Sequence, residues 1–161
     1  MATLNRMATL AARPVGAIKT SDFKVVEASL PDPGPGELLA RITHVSLDPA
    51  MRGWVSEGKS YVPPVQIGEV MRSFSVGVVE RSNNPAFKPG DGIAGMIGAQ
   101  SHVVTNGKGL SKVDLSGADL TGADLTDADL DGANLSGVKG LDTVKGLDKT
   151  RNLDKAIRTT P

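Results

Sequence analysis

Five leucines recur at a spacing of five residues in the C-terminal third of the sequence, at Leu115, Leu120, Leu125, Leu130 and Leu135. A small apolar residue lies two positions before each next leucine position, at Ala118, Ala123, Ala128, Ala133 and Val138. A period of five fits neither the α-helical turn of about 3.6 residues nor the alternation of a β-strand, so either structure would scatter these side chains. A chain that turns a corner every five residues would stack them inside. We therefore expect a coiled structure in this region.

The leucine spacing and the charge distribution together suggest a domain boundary. After Gly137 the spacing stretches to six, with Leu141, Leu147 and Leu153 each followed by Asp. Residues 1–111 carry 11 basic and 9 acidic side chains, whereas residues 112–136 carry one Lys and six Asp. The sequence therefore predicts one domain at 1–111 and a second segment at 112–161, in which the repeats run into an irregular tail with six-residue spacing.

The first 111 residues have the pattern of short β-strands separated by turn signals. Apolar and β-branched residues predict strands at 23–28, 37–45 and 76–80, and a Pro- and Gly-rich cluster at 31–36 separates the first two. Phe, Trp and Tyr together number only five, so the core is expected to be aliphatic, with methionines as filler at Met51, Met71 and Met96. The predicted fold class is mainly β, a small β-barrel or sandwich.

Composition excludes several classes of function. Basic and acidic residues both number 18, so there is no overall field to attract nucleic acid or an anionic membrane. No cysteine is present, which removes disulfides, thiolate nucleophiles and most zinc sites. His44 and His102 are the only histidines, and they form neither a recognisable metal site nor a catalytic triad. The apolar runs are too short for a membrane helix, and a cytoplasmic protein is expected.

Two short motifs have a functional and a structural interpretation. Residues 90–95 match G-x-G-x-x-G, but neither a preceding strand nor a following helix is predicted, so a tight turn between strands is favoured over a dinucleotide site. Residues 127–132 copy the first half of an EF-hand loop, but position 12 of that loop is Val138 instead of Glu. Solvated repeat faces explain these carboxylates better, and no metal site is predicted.

The run "ADLTGADLTDADLDGANL" resembles the pentapeptide-repeat proteins. That family builds a right-handed, four-sided β-solenoid with a leucine at the centre of each face, so the resemblance implies a short quadrilateral solenoid here. Five clear units and a six-residue continuation supply little more than one to two coils. So short a stack is expected to need a cap or a partner.

Residues 5–114 resemble the N-terminal, GroES-like domain of zinc-independent medium-chain dehydrogenases/reductases, the group that contains NADPH-dependent alkenal, curcumin and prostaglandin reductases. Five motifs in the expected order carry the resemblance: "ARPVG" at 12–16, "SLDPAMRGW" at 46–54, "SYVPPVQIGEVMR" at 60–72, "NPAFKPGDGIAG" at 84–95 and "GKGLSKVD" at 107–114. The implied fold is a partly open β-barrel.

This second resemblance implies hydride transfer from NADPH to the carbon–carbon double bond of an enone, with the first domain forming one wall of the substrate cleft. It places Met51, Arg52, Tyr61 and Gln100 in that cleft and assigns no catalytic, cofactor-binding or metal-binding residue. For Arg52 an equal alternative is that it holds a loop by hydrogen bonding. After Asp114 the sequence has no strand-turn-helix unit with a Gly-rich phosphate loop. NADP is therefore implied by the family alone, and the chain by itself is expected neither to bind it nor to be active.

Two functional hypotheses remain open. The first is the substrate-side half of an enone reductase without its nucleotide-binding domain. The second is a non-enzymatic protein-interaction module built from the barrel and the solenoid. Removing a packed domain should expose an apolar patch, so the expected partners are a second copy of the chain or a protein that covers the exposed barrel face. Neither nucleic acid nor a membrane is an expected partner.

Overall fold

Among the residues that the structure describes, seven β-strands make up most of the regular structure. A computed structural model describes residues 3–58, 62–131 and 133–156. The chain divides into two units, one comprising Met1–Pro89 with Ile93–Ser111 and the other Gly90–Gly92 with Lys112–Pro161. In the described ranges the single α-helix has four residues, and no helix is long and apolar enough to span a lipid bilayer. The prediction of a mainly β fold is confirmed.

The described strands, the helix and the 3₁₀ turns have the following bounds along the chain. The strands are β1 (Thr3–Leu10), β2 (Phe23–Leu30), β3 (Leu38–Val45), β4 (Ser75–Ser82), β5 (Gly92–Gly95), β6 (His102–Thr105) and β7 (Leu110–Lys112). The helix α1 (Met51–Trp54) lies between β3 and β4, and three short 3₁₀ turns lie at Thr20–Asp22, Leu147–Lys149 and Leu153–Lys155. Each strand predicted from the sequence overlaps an observed one.

Strands β1 and β2 pair antiparallel along their whole length, from Thr3 opposite Leu30 to Leu10 opposite Phe23. The intervening β1–β2 loop (residues 11–22) is closed at its base because the amide of Ala11 donates to the carbonyl of Asp22 at 2.8 Å. The buried Asp22 carboxylate also accepts the amide of Lys19 at 2.7 Å. The loop is therefore anchored at both ends.

The other strands form a five-stranded sheet in the order β6-β3-β4-β5-β7. Strand β3 pairs antiparallel with both β4 and β6, and its register with β4 shifts between Leu39 and Ala40 and between Ile42 and His44. Isolated bridges join Met7 to Gln100 and Thr9 to Val70, so β1 lies against the segments that precede β6 and β4.

Two apolar clusters fill the first unit. One contains Leu10, Trp54, Val55, Val65 and Met71, and the other contains Leu38, Ala40, Val79 and Ile93. Apart from the single tryptophan, these are aliphatic residues and a methionine, as the composition predicted.

The prediction that Met96 fills the core is wrong, because its side chain is 55% exposed. Strand β5 ends at Gly95, and the amide of Ile97 turns back to the carbonyl of Gly95 at 2.9 Å. Ile97 packs against the second apolar cluster, and the intervening Met96 points outward.

In the second unit, parallel bridges join Asp119 to Lys139, Asp124 to Lys145 and Asp129 to Arg151. The hydrogen bonds repeat with the bridges: the amide of Leu120 donates to the carbonyl of Lys139 at 2.9 Å, and the amide of Lys139 donates to the carbonyl of Ala118 at 2.9 Å. Leucines at the five-residue positions are half-buried, or buried at Leu130 and Leu135. The Asp residues that precede them face solvent.

Candidate functional site

A cavity of about 550 Å³ opens in the first unit. Strand β1, the β1–β2 loop, helix α1 and the segments around residues 71 and 99 supply its lining. The lining residues are mostly apolar: Ala8, Ile18, Phe23, Leu47, Asp48, Pro49, Met51, Arg52, Val55, Met71 and Ala99. Ligand sites of this size are typically apolar with few polar groups. The cavity is therefore suited to an uncharged, carbon-rich ligand.

The sequence around Asp48 and Pro49 starts α1 and directs it toward the cavity. The Asp48 carboxylate accepts the amide of Ala50 at 2.7 Å, and the Asp48 carbonyl accepts the amide of Met51 at 2.9 Å. Proline is tolerated at such a start because a first-turn amide has no intrahelical partner. At the other end Trp54 is buried, and its carbonyl accepts the amide of Val65 at 2.8 Å. This anchoring presents Met51 to the cavity.

Arg52 also lines the cavity, but protein groups already engage its guanidinium. One Nη donates to the carbonyl of Gly16 at 2.9 Å, and the other donates to Oγ of Ser56 at 2.7 Å. Asp48, the other charged lining residue, uses its carboxylate on the amide of Ala50. Because both charged side chains are engaged in this way, the wall offers a ligand mainly apolar surface.

Of the remaining sequence-predicted cleft residues, Gln100 is engaged in hydrogen bonds within the first unit. The Gln100 side chain accepts a hydrogen bond from Nδ2 of Asn5 at 2.8 Å and donates to the carbonyl of Ile97 at 2.7 Å. It is not part of the cavity lining, although its neighbour Ala99 is. Tyr61 lies outside the described residues.

Sequence reasoning missed most of the apolar lining. Ile18, Phe23 and Ala99 come from separate segments outside the family motifs, and Met71, inside "SYVPPVQIGEVMR", is predicted from the sequence only as core filler. Leu47 lies inside the motif "SLDPAMRGW", so the family resemblance marked its segment but not its side chain. Apolar residues in a β-rich sequence are ordinarily expected in the core, and only the fold shows which of them border a cavity.

Among the described residues, the G-x-G-x-x-G motif lacks the helix start of a phosphate site, and no cluster of metal-ligating side chains is found. In the G-x-G-x-x-G motif, Gly90 has a φ of +91° in a turn and Gly92–Gly95 forms strand β5, so no helix start is available to bind phosphate. This agrees with the turn interpretation made from the sequence. Over residues 3–58, 62–131 and 133–156, no group of three or more His, Cys, Asp or Glu side chains could hold a metal ion.

Comparison with known proteins identifies both parts of the chain. A family described as "N-terminal domain of oxidoreductase" matches residues 6–113, and pentapeptide repeats match residues 110–139. NADPH-dependent curcumin reductase of Escherichia coli is 41% identical over 109 residues, which are 68% of this chain and 32% of that protein. Prostaglandin reductase 1 of Bos taurus is 31% identical and is matched over 65% of this chain and 30% of its own length.

Solved structures agree with the sequence relatives. The crystal structure of CurA from Vibrio vulnificus in complex with NADPH has a TM-score of 0.64 and 39% identity, with 67% of this chain and 32% of that chain covered. The chain thus spans about a third of the length of the relatives it matches. Both resemblances drawn from the sequence are confirmed, and the chain belongs to the family of oxidoreductase N-terminal domains.

Proposed function

We propose that this chain provides the substrate-binding part of an NADP-dependent reductase that acts on the carbon–carbon double bond of an enone. The apolar cavity carries the proposal, because it would bury the hydrocarbon portion of an uncharged substrate. The names of the relatives support the reaction class, since a curcumin reductase and a prostaglandin reductase are among them. In this proposal Met51 contacts the substrate directly, while Arg52 borders the cavity and shapes it.

The nucleotide does not fit the residues described here. Phosphate groups are usually held by a Gly-rich turn at a helix start, whereas α1 has only four residues and the Gly90–Gly95 motif runs into a strand. We therefore derive no hydride-transfer step from this chain. NADP would be held by a domain outside the described residues, and the chain alone is expected not to turn over.

The architecture proposed with this function is a partly open β-barrel followed by a short, right-handed, four-sided β-solenoid. Bridges between residues 119 and 139, 124 and 145, and 129 and 151 join positions 20 to 22 apart, which corresponds to four sides of five or six residues. Half-buried leucines at the repeat positions support stacking on the inside. A cytoplasmic location is proposed with this function, since a sequence without cysteine fits a reducing compartment.

A second candidate is a non-enzymatic interaction module. Leu47, at the cavity, is 86% exposed, and Ile18, also at the cavity, is 45% exposed. Exposed apolar side chains at one mouth favour a covering partner, either a second copy of the chain or another protein. Nucleic acid and membranes are not proposed as partners, because the net charge is zero.

Fluorescence of Trp54, the single tryptophan, provides the test, because its core cluster shares Val55 and Met71 with the cavity lining. Titration with a medium-length straight-chain enone should give a saturable change in emission. The variant Ala99→Phe, which fills the cavity, should abolish this change, and Ala28→Phe on the exposed face of β2 should retain it.

Three outcomes separate the hypotheses. Saturable enone binding without NADPH oxidation supports the substrate-binding half. Turnover of enone by the chain alone would contradict the assignment of the nucleotide to another domain. A concentration-dependent dimer in light scattering, combined with no enone binding, would favour the interaction module.

A further inference from the structure

Two arginines connect the β1–β2 loop to the α1 segment, one from the helix to the loop and the other from the loop to the end of the helix. Arg52, on α1, donates to the carbonyl of Gly16 in the loop at 2.9 Å. Arg13, in the loop, donates from Nη1 to the carbonyl of Val55, directly after α1, at 3.3 Å. Each of the two side chains thus forms a hydrogen bond between the loop and the α1 segment.

Arg13 is the more buried of the two. Its side chain is 20% exposed, and Nη1 also donates to the carbonyl of Val65 at 2.5 Å, while Nε lies 3.5 Å from Oε1 of Glu57. Hydrogen bonds from a charged donor are stronger than those between neutral groups. Burial of a charged group in contact with two main-chain carbonyls indicates a defined structural task for this side chain.

Ile18 gives that task a functional consequence. It lies in the loop between Gly16, which Arg52 holds, and Lys19, whose amide the Asp22 carboxylate holds. Its side chain lines the cavity and is 45% exposed, so the rest of the core does not enclose it. Its position at the cavity wall therefore depends on how the loop is tied.

We propose that Arg13 and Arg52 are positioning residues that hold Ile18 against the cavity and thereby set the size of apolar ligand it accepts. This inference rests on the proposed function only in that the cavity binds an apolar ligand. Without either guanidinium, carbonyls of the loop or of the α1 segment lose their donors and the loop gains freedom. Ile18 then moves away from the cavity. A compact ligand loses its contact with Ile18, whereas a long ligand replaces that contact with others along the cavity wall.

The experiment compares butanone with undecanone, two unreactive ketones, through the emission of Trp54 in the full chain. The variants Arg13→Met, Arg52→Met and Ile18→Ala should each shift the ratio of the two affinities by about tenfold in favour of undecanone, the lower end of what one pocket contact discriminates. Hydrogen exchange at Ala12 and Lys19, whose amides are hydrogen-bonded within the loop, should become faster in both arginine variants. Arg13→Lys, which retains the positive charge and one donor nitrogen, should restore part of the ratio.

A double variant distinguishes positioning from general destabilisation. Once Ile18→Ala has removed the side chain that is positioned, adding Arg13→Met should change the ratio by less than about twofold, because the two residues act through one contact. Arg81→Met is the matched control, since Arg81 pairs with Asp32 and Thr3 and lines no part of the cavity. It should leave the ratio unchanged.

Failure of this inference can be told apart from failure of the proposed function. If the unmodified chain binds neither ketone, the proposed function fails and the inference falls with it. If the unmodified chain binds both ketones and the arginine variants keep the same ratio, only the positioning role is overturned. Should Arg13→Met not fold, Arg52→Met decides, because Arg52 is an exposed residue.

Discussion

Asn5 donates from its side-chain Nδ2 to Oε1 of Gln100 at 2.8 Å, which links residues 95 positions apart in the sequence. Asn5 is only 1% exposed, and its Oδ1 accepts the amide of His102 at 3.0 Å and Oγ of Ser101 at 3.3 Å. One buried amide thus joins β1 to the segment that leads into β6. Gln100, a cleft residue by resemblance, takes part in this connection through its side chain.

Replacing Asn5 with alanine should destabilise the first unit by about 1–3 kcal/mol, since Gln100 Oε1 and the amide of His102 each lose a buried partner. Urea unfolding followed by Trp54 emission measures this change. Gln66→Ala, at an exposed residue, is the control and should stay within about 0.5 kcal/mol of the unmodified chain. Equal stability of the two variants would contradict a buried role for Asn5.

Gly77 is required where β4 lies against β3. A Cβ at this position would overlap the carbonyl oxygen of Arg41 and lie 3.1 Å from Cα of Ile42, both main-chain atoms that cannot move without separating the strands. Gly77→Ala should therefore cost about 1–3 kcal/mol or more in the free energy of unfolding. Gly58→Ala, where a Cβ meets nothing within 4 Å, should leave the thermal midpoint almost unchanged.

The strands and the repeat could be predicted from the sequence, because their signals are local. β-Branched residues bounded by Pro and Gly placed β2, β3 and β4, and the five-residue period identified the half-buried leucines. The cavity could not be predicted in the same way, since its wall joins Ile18, Met71 and Ala99 from distant segments. A loop-holding role for Arg52 was one of the two sequence interpretations, but its partner was out of reach, because it depends on where the β1–β2 loop brings Gly16.

Alanine substitutions at two glycines of the second unit distinguish the cost of backbone strain from the cost of a steric clash. Gly140 and Gly122 have nearly the same positive φ, +71° and +72°, but only at Gly140 does a Cβ meet a neighbour, 2.6 Å from Cα of Thr121. Gly122→Ala should cost about 1–2 kcal/mol from left-handed strain alone. Gly140→Ala should cost a further 1–3 kcal/mol or so from overpacking.

Far-UV circular dichroism and hydrogen exchange in the repeats would measure both glycine variants. The first unit should keep its native Trp54 emission in each case, because both substitutions lie outside it. If the two variants prove equally stable, the close approach of Gly140 to Thr121 has no energetic weight.

Acid should weaken the second unit. Hydrogen bonds from the hydroxyl and then the amide of Thr121 hold the pKa of the Asp119 carboxyl below its usual value of 3.8, and Thr126 does the same for Asp124. A lowered folded-state pKa contributes stability that is present above the unfolded value and is lost as the pH falls through the folded value. The repeats should therefore lose stability progressively below about pH 4.

Thermal unfolding of the repeats between neutral pH and pH 3 tests this acid dependence. Asp119→Asn keeps an oxygen for the amide of Thr121 but does not titrate, so this variant should lose less stability on acidification than the unmodified chain. If the stability of the variant and of the unmodified chain fell equally with pH, the Asp119 carboxylate would contribute nothing to the pH dependence of stability.

The bridges of the second unit advance by five residues on one side, from Asp119 to Asp124 to Asp129, and by six on the other, from Lys139 to Lys145 to Arg151. The ladder nevertheless stays in register, because each extra residue is taken up in the turn between bridges. A one-residue insertion at such a turn thus leaves the ladder of bridges unchanged, although a strict five-residue count no longer follows the repeat after Val138. Units of five and six residues thus lie on one ladder of bridges, so the length of this segment is better counted in bridges than in residues.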